Sequence, residues 1–282
     1  MAEKFIGPEE RALLADHPLI AAMDQPYEQA LTNMEAMSAA RLLIPRTRLI
    51  DDRLLAALHD GVKQIVILGA GFDSRAYRFT EHLNDVRVIE VDQPDTQRLK
   101  VERVRDIFGQ LPPHVTYAPI DLASETLGRG LADAGYAADQ KAFFIWEGVT
   151  FYLPADAVRG MLGWIAANSA AASRVVFDYT YDSSIQMLKT IDLDTVPALW
   201  RQAILRFRSL TAGEPWIFGL PDQQEKEFLN GLGLEAHQIV GMNSREAVER
   251  YLTRADGSIF GLMPATDRQW YLILEASVVA RA

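Results

Sequence analysis

Cysteine is absent from the 282 residues, which excludes disulfide staples, thiolate metal sites and a thiol nucleophile. That absence suits a reducing cytoplasm. Basic charge is in deficit: 28 Lys and Arg stand against 38 Asp and Glu, a formal net charge of −10. The deficit works against nucleic acid as a partner, because such binding rests on Lys and Arg neutralising phosphates. No apolar run approaches the roughly 20 residues needed to cross a bilayer. The opening MAEKFIGPEE places acids where a secretory leader needs a basic start and an apolar stretch. No cluster of acids and histidines falls at metal-ligand spacing. A cytoplasmic protein with no membrane, nucleic-acid or metal partner is the expectation.

What is present is the composition of a substantial core, 49% hydrophobic and 23% charged. Residues 1–60 read as helical, rich in Ala, Leu, Met and Glu over 30–40 and 51–59, with Pro45 as an interruption. The first strand candidate is Gln64-Ile65-Val66-Ile67-Leu68, a short apolar run of the kind buried on both faces of a parallel sheet. Strands over 86–91, 114–119, 142–146 and 174–179 then alternate with helices over 96–108 and 155–167. In the first of those helices the apolar positions are Leu99, Val101, Val104 and Ile107. Regular alternation argues for right-handed crossovers and a doubly wound α/β sheet. After Tyr181 the rhythm breaks, and 182–220 reads as a mostly helical insertion. Strands over 234–240 and 270–279, joined by a helix near 245–252, complete a Rossmann-like, seven-stranded, mostly parallel sheet.

The sharpest local signal is the turn after the first strand, Gly69-Ala70-Gly71-Phe72-Asp73-Ser74-Arg75. Glycines there permit unusual dihedrals and let a ligand approach the backbone, and Asp73 or Ser74 can cap the helix that follows. About 20 residues on, the second strand ends in acids, the separation expected of a group that reaches a ribose. Strand periodicity puts Glu90 and Asp92 on one face, so alternation leaves both open; Asp92 lies nearer the carboxyl end, where ligands bind. A pyrophosphate fingerprint wants a third glycine. Ser74 stands in its place, and Asp73 sets negative charge where phosphates would lie. A phosphate-free, positively charged ribosyl ligand fits better, and S-adenosylmethionine is one.

The run Gln64–Phe79 (QIVILGAGFDSRAYRF), then Ile89-Glu90-Val91-Asp92-Gln93-Pro94, Ile120-Asp121-Leu122 and Trp146-Glu147-Gly148-Val149-Thr150-Phe151-Tyr152-Leu153-Pro154, resembles the leucine carboxyl methyltransferase family. The likeness runs in order from about Arg46 to Tyr179. It implies a single class I methyltransferase domain: a helical segment (1–60), a cofactor-binding core (61–181), a helical lid that meets substrate (182–220) and closing strands (221–282). It implies that Gly69 and Gly71 line the methionine part of the cofactor, with Ala70, Asp73, Ser74 and Glu90 also among the cofactor-binding residues. Asp92 takes the ribose hydroxyls, Asp121 and the Leu122 backbone meet the adenine edge, and Glu147 lines the methionine end. Arg46 matches the arginine that grips the cofactor carboxylate, with Arg41 and Arg48 as nearby rivals. Ser74 departs from the more usual threonine but keeps the hydroxyl.

The residues speak less clearly about the acceptor. An ionised carboxylate needs no general base, whereas a phenol or alcohol benefits from one. His59, His82 and His114 read as structural or solvated, and His17 and His237 are the two that could face a pocket. No motif supplies a base. The expectation is therefore O-methylation of a small-molecule acid, with Glu147 and Tyr152 as positioning candidates and a methyl ester as product. Ile185, Met187, Leu188, Ile191, Leu193 and Trp200, then Trp216 and Phe218, would make the lid apolar. A hydroxyl or phenol acceptor, a nicotinamide-dependent oxidoreductase and a non-catalytic S-adenosylmethionine-binding protein are the alternatives. The sequence leaves the oligomeric state open.

Overall fold

Strand β1, Gln64–Leu68, is buried at every position, because it lies at the centre of the sheet with helices on both faces. A computed structural model describes residues 2–7, 40–123, 127–196, 215–260 and 269–280, with positions 12, 25, 26, 29, 201, 204, 205, 208 and 213. The other strands are β2 (Arg87–Asp92), β3 (Val115–Pro119), β4 (Ala142–Trp146), β5 (Arg174–Tyr179), β6 (Leu234–Gly241) and β7 (Leu272–Val278). Their order is β3-β2-β1-β4-β5-β7-β6. The first five are parallel, and β7 runs antiparallel between β5 and β6. This is the seven-stranded, mostly parallel sheet expected.

Period-two alternation divides the core into two layers. Ile65, Ile67, Phe143 and Ile145 face one side, where helix α1 (Ala40–His59) packs Leu49, Ile50, Leu54 and Ala57 against them. Val66, Leu68, Phe144 and Trp146 face the other, against Val158, Leu162 and Ile165 of helix α5 (Ala155–Asn168). Each such side chain, fully buried, contributes about 1.5–3 kcal/mol. Between these, in chain order, lie α2 (Arg75–Arg78), α3 (Pro94–Phe108) and α4 (Leu127–Asp133).

Two local readings are corrected. Pro45 does not interrupt α1: the helix runs through it, and Pro45 itself is buried. Helix α3 begins at Pro94, two residues early, because proline suits a first-turn position that needs no N–H donor. Its buried face is Gln97, Lys100 and Val104, while Leu99, Val101 and Ile107 are only half-buried. The reason lies beneath it: β2 presents the carboxylate of Glu90, and the helix answers with a lysine.

Helix α6 (Asp182–Thr190) opens the expected insertion, Ile185 is buried, and Met187 is exposed. The chain returns at residues 215–220, where Leu220 bridges to Tyr181 and Trp216 and Phe218 are buried. Trp200 and most of 197–214 lie outside the described residues, as do 30–39 and His17. Helix α7 (Glu225–Asn230) precedes β6, and a short helix α8 (Arg245–Ala247) continues as a wider turn over Val248–Leu252. Among the described residues no helix is long and apolar enough to cross a membrane.

Candidate cofactor site at the sheet switch point

The strand order reverses between β1 and β4, the point where open α/β sheets place a ligand crevice beyond the carboxyl ends of their strands. Gly69 and Gly71 follow β1 with φ of +65° and +41°. A Cβ at Gly69 would stand 2.4 Å from Val149 Cγ2, so the β4 loop packs directly on this backbone. A Cβ at Gly71 would meet nothing within 4 Å, which leaves open space beside the turn. Asp92, half-buried at the end of β2, accepts from Gly71 N–H through Oδ2 and from Gln93 N–H through Oδ1, at 2.7 Å for the latter. The diglycine turn and the ribose-height acid are thus brought together.

Arg46 and Glu147, 101 residues apart, also meet. Arg46 Nε donates to Glu147 Oε1 at 2.7 Å, and Nη1 donates to Tyr271 Oη at 2.7 Å and to Asp178 Oδ2 at 3.3 Å. Of the three candidate arginines, Arg46 is therefore the one brought to the β4 loop. Thr47 Oγ1 donates to the same Glu147 oxygen at 3.3 Å. The second oxygen, Oε2, is held by Arg75 Nη1 at 2.6 Å. Both Glu147 oxygens are committed to guanidiniums. Two edges of Arg46 are likewise spent on the chain's own groups, and Nη2 is left without a partner among the described residues.

Arg75 ties the cluster to the cofactor turn. Its backbone N–H and its Nη1 both reach Asp73, at 2.6 and 2.5 Å, and its Nε reaches Asp51 of α1 at 2.7 Å. Asp73, not Ser74, therefore caps α2, since the Ser74 side chain makes no capping bond. Burial opposes the charge on Asp73, but Arg75 and Lys100 outweigh it and hold the carboxyl below its ordinary range. Burial also opposes the charge on Arg46 and Arg75, and their carboxylate neighbours reverse that and raise both. Asp178 is the exception. Burial lifts it, and Arg46 and Tyr271 do not fully compensate. Its two oxygens accept from Gly148 N–H at 2.8 and 3.0 Å, and the Tyr271 hydroxyl donates to Oδ2.

The remaining candidates are less engaged. Glu90 is wholly buried on Lys100, away from the crevice mouth that Asp92 borders. Asp121 accepts from Ala123 N–H at 3.0 Å, and Leu122 is buried. Tyr152 is half-buried and packs edge-on to Phe151, with ring centroids 5.2 Å apart. Among the histidines, His59 is exposed, His114 meets the Ala76 carbonyl at 2.9 Å and His237 meets Ser277 Oγ at 2.7 Å. None of these lies in the crevice cluster. Among the described residues no group of acids and histidines could hold a metal.

Sequence reasoning missed Arg75, Asp178, Tyr271 and Lys100. A signal existed for Asp178, the one acid inside Arg174-Val175-Val176-Phe177-Asp178-Tyr179: a charge in a buried strand needs a partner. Arg75 stands in the glycine-turn run, but nothing local reveals that it reaches Asp51 and Glu147.

A parallel sheet closed by an antiparallel seventh strand, with its crevice at the β1/β4 reversal, is the fold of the class I methyltransferases. A methyltransferase structure from Thermobifida fusca, provisionally named, superposes with a TM-score of 0.60 at 15% identity, covering 99% of this chain and 93% of that one. The chain belongs to the leucine carboxyl methyltransferase family, whose signature it matches over residues 1–166. A Frankia alni relative, provisionally named an S-adenosyl-L-methionine-dependent methyltransferase, is 37% identical over 204 residues, 71% of this chain and 64% of its own. A Mycobacterium tuberculosis relative of the same provisional name is 30% identical over 198 residues, 62% of this chain and 65% of its own. The chain thus spans just under two thirds of the length of these relatives. S-adenosylmethionine is the cofactor that this membership implies, and it sets the nicotinamide alternative aside.

Proposed function

We infer that this chain is an S-adenosylmethionine-dependent O-methyltransferase whose acceptor is a carboxylate of a small-molecule acid. Charge supports the cofactor. Around the crevice the guanidiniums of Arg46, Arg75 and Arg78 face the carboxylates of Asp51, Asp73, Asp92, Glu147 and Asp178, an acidic excess that favours a cationic ligand over a dinucleotide. The open space beside Gly71 fits close backbone approach by the methionine part. Asp92 would hold the ribose, Asp121 and Leu122 the adenine edge, and Arg46 Nη2 the cofactor carboxylate. When bound, S-adenosylmethionine supplies a methyl group already activated on a sulfonium. The protein's share is then alignment and exclusion of water.

The observation that carries the acceptor class is the state of the site's proton acceptors. Glu147 has both oxygens on guanidiniums, Asp73 has both on Arg75, and no described histidine joins the cluster. With those carboxylates committed and Asp92 reserved for the ribose, an acceptor that arrives ionised asks for no base among the described residues. The shape of the neighbouring wall suits an apolar or aromatic body. Tyr271, anchored by Arg46 and Asp178, packs on Phe151 at 5.8 Å and on Trp216 at 6.1 Å, and Phe151 stacks on Trp216 at 4.3 Å between centroids. Trp216 comes from the inserted segment.

The test offers the purified protein S-adenosylmethionine with a panel of aromatic and aliphatic acids and, separately, phenols. A methylated product that mild alkali hydrolyses back to acid and methanol is expected. An alkali-stable methyl ether would transfer the reading to a hydroxyl acceptor. Cofactor binding with no product from any acid or phenol would favour a non-catalytic binder.

A further inference from the structure

The ion pair Glu90–Lys100 lies directly behind the turn, and the site described above draws on it only through the charge of Lys100 near Asp73. Lys100 Nζ is 2.8 Å from Glu90 Oε2 and 3.4 Å from the carbonyl oxygen of Ala70, and both side chains are fully buried. In a third direction the ammonium lies 5.7 Å from the centroid of the Tyr77 ring. Its three protons therefore have a carboxylate, a carbonyl and a π face to meet. Such a pair is a poor choice for stability alone, because burying two charges largely cancels their attraction. This one is worse than most, since Glu90 Oε1 has no hydrogen-bond partner among the described residues. Two apolar side chains would hold α3 on β2 at least as well.

Apolar side chains could not hold the Ala70 carbonyl. That oxygen also accepts from Asp73 N–H at 2.7 Å, so it is anchored to the core from two sides. The other end of the same peptide, Gly71 N–H, donates to Asp92 Oδ2. Gly71 has a left-handed φ of +41° and no neighbour that a side chain would touch, so it does little itself to resist rotation of this peptide. Half a turn would aim the carbonyl oxygen at the Asp92 carboxylate, acceptor against acceptor.

We propose that Lys100 is a positioning residue for the cofactor: by holding the Ala70 carbonyl it keeps Gly71 N–H on Asp92 and so sets the carboxylate that takes the ribose. The proposal rests on S-adenosylmethionine as the ligand of this crevice. Its test is calorimetry of the full chain with S-adenosylmethionine and with S-adenosylhomocysteine, alongside kinetics in which the cofactor is varied up to saturation. Lys100→Met is expected to raise both dissociation constants about threefold, the worth of one long hydrogen bond to a carbonyl that Asp73 N–H still holds. The loss should appear in KM for the cofactor and not in kcat, since the ribose is common to both compounds and the methyl end is untouched. The double variant Glu90→Gln/Lys100→Met leaves no buried charge unpaired and is expected to show the same loss. Recovery of wild-type affinity in the double variant would mean that Lys100 only neutralises Glu90, and would overturn the proposal. A fall in kcat with unchanged affinity would overturn it too. Wild-type protein that binds neither compound would overturn both this proposal and the cofactor assignment beneath it.

Discussion

Single residues at the crevice carry two loads, and the variants that test them should separate the two. Arg46 holds Glu147 and the fully buried Asp178, so it is structural before any ligand arrives. Arg46→Ala leaves the buried Asp178 without a counter-charge and frees one Glu147 oxygen, while Arg75 keeps the other, and should cost about 3 kcal/mol of stability. In a domain of this size that is a fall in Tm of roughly 5–10 °C, read by thermal melting without cofactor. A melt that does not move would show that the ion pairs contribute nothing. Among the described residues Asp92 makes no ion pair, and two backbone N–H groups rest on it. Asp92→Ala should therefore act chiefly on binding, weakening S-adenosylmethionine by about 1–3 kcal/mol, measured by calorimetry. Unchanged affinity would remove the ribose from Asp92.

At the scale of the elements, β2 and α3 share a proton. Burial pushes the Glu90 carboxyl up to about 7, and Lys100 and Tyr77 pull it down only in part. In the unfolded chain the same group titrates near its ordinary value of 4.5. Between those values the native state keeps a proton that the unfolded chain has released, so stability falls as pH rises. This contribution is fully present below the unfolded value and lost as pH climbs through the folded one. Its full span is on the order of 3 kcal/mol. Glu90→Gln fixes the neutral form, so its melting temperature should change less than that of the wild type between about pH 5 and about pH 8. Parallel curves for the two proteins would refute the assignment. The same pair shows where reading the sequence stops. Strands β1, β4 and β5 were legible to the residue, because a run buried on both faces is apolar throughout. Helix α3 was legible as a helix but not in its orientation. Hydrophobic periodicity points to Leu99 and Val101, whereas the face that packs carries Gln97 and Lys100. Polar burial follows from a partner on another strand, which no local window contains. For the same reason the family likeness alone pointed Arg46 and Glu147 to one end of the cofactor, and neither their contact with each other nor that of Arg75 with Asp51 and Glu147 was legible.

The whole molecule brings together a crevice built by the first two thirds of the chain and an aromatic wall completed from beyond it. The family signature covers residues 1–166, which include the glycine turn, Asp92, Asp121 and Glu147. Trp216, Trp270 and Tyr271 lie outside it, yet they form a continuous aromatic cluster that reaches Arg46 and Asp178 through the Tyr271 hydroxyl. Ile217 and Phe218 N–H both donate to the Phe151 carbonyl, at 2.7 and 3.2 Å, so the end of the inserted segment is pinned to the loop that follows Glu147. If, as proposed, the segment selects the acceptor, one fixed in that way can change its side chains without moving the crevice groups that follow β1, β2 and β4. Replacing 182–220 with the corresponding segment of a relative should therefore alter which acid is methylated while leaving the dissociation constant of S-adenosylmethionine within about threefold, under 1 kcal/mol. The check is a competition assay over a panel of acids, with cofactor affinity measured on the same preparation. An unchanged order of preference would place acceptor selection elsewhere. A collapse of cofactor affinity would show that the segment belongs to the crevice and not to its cover.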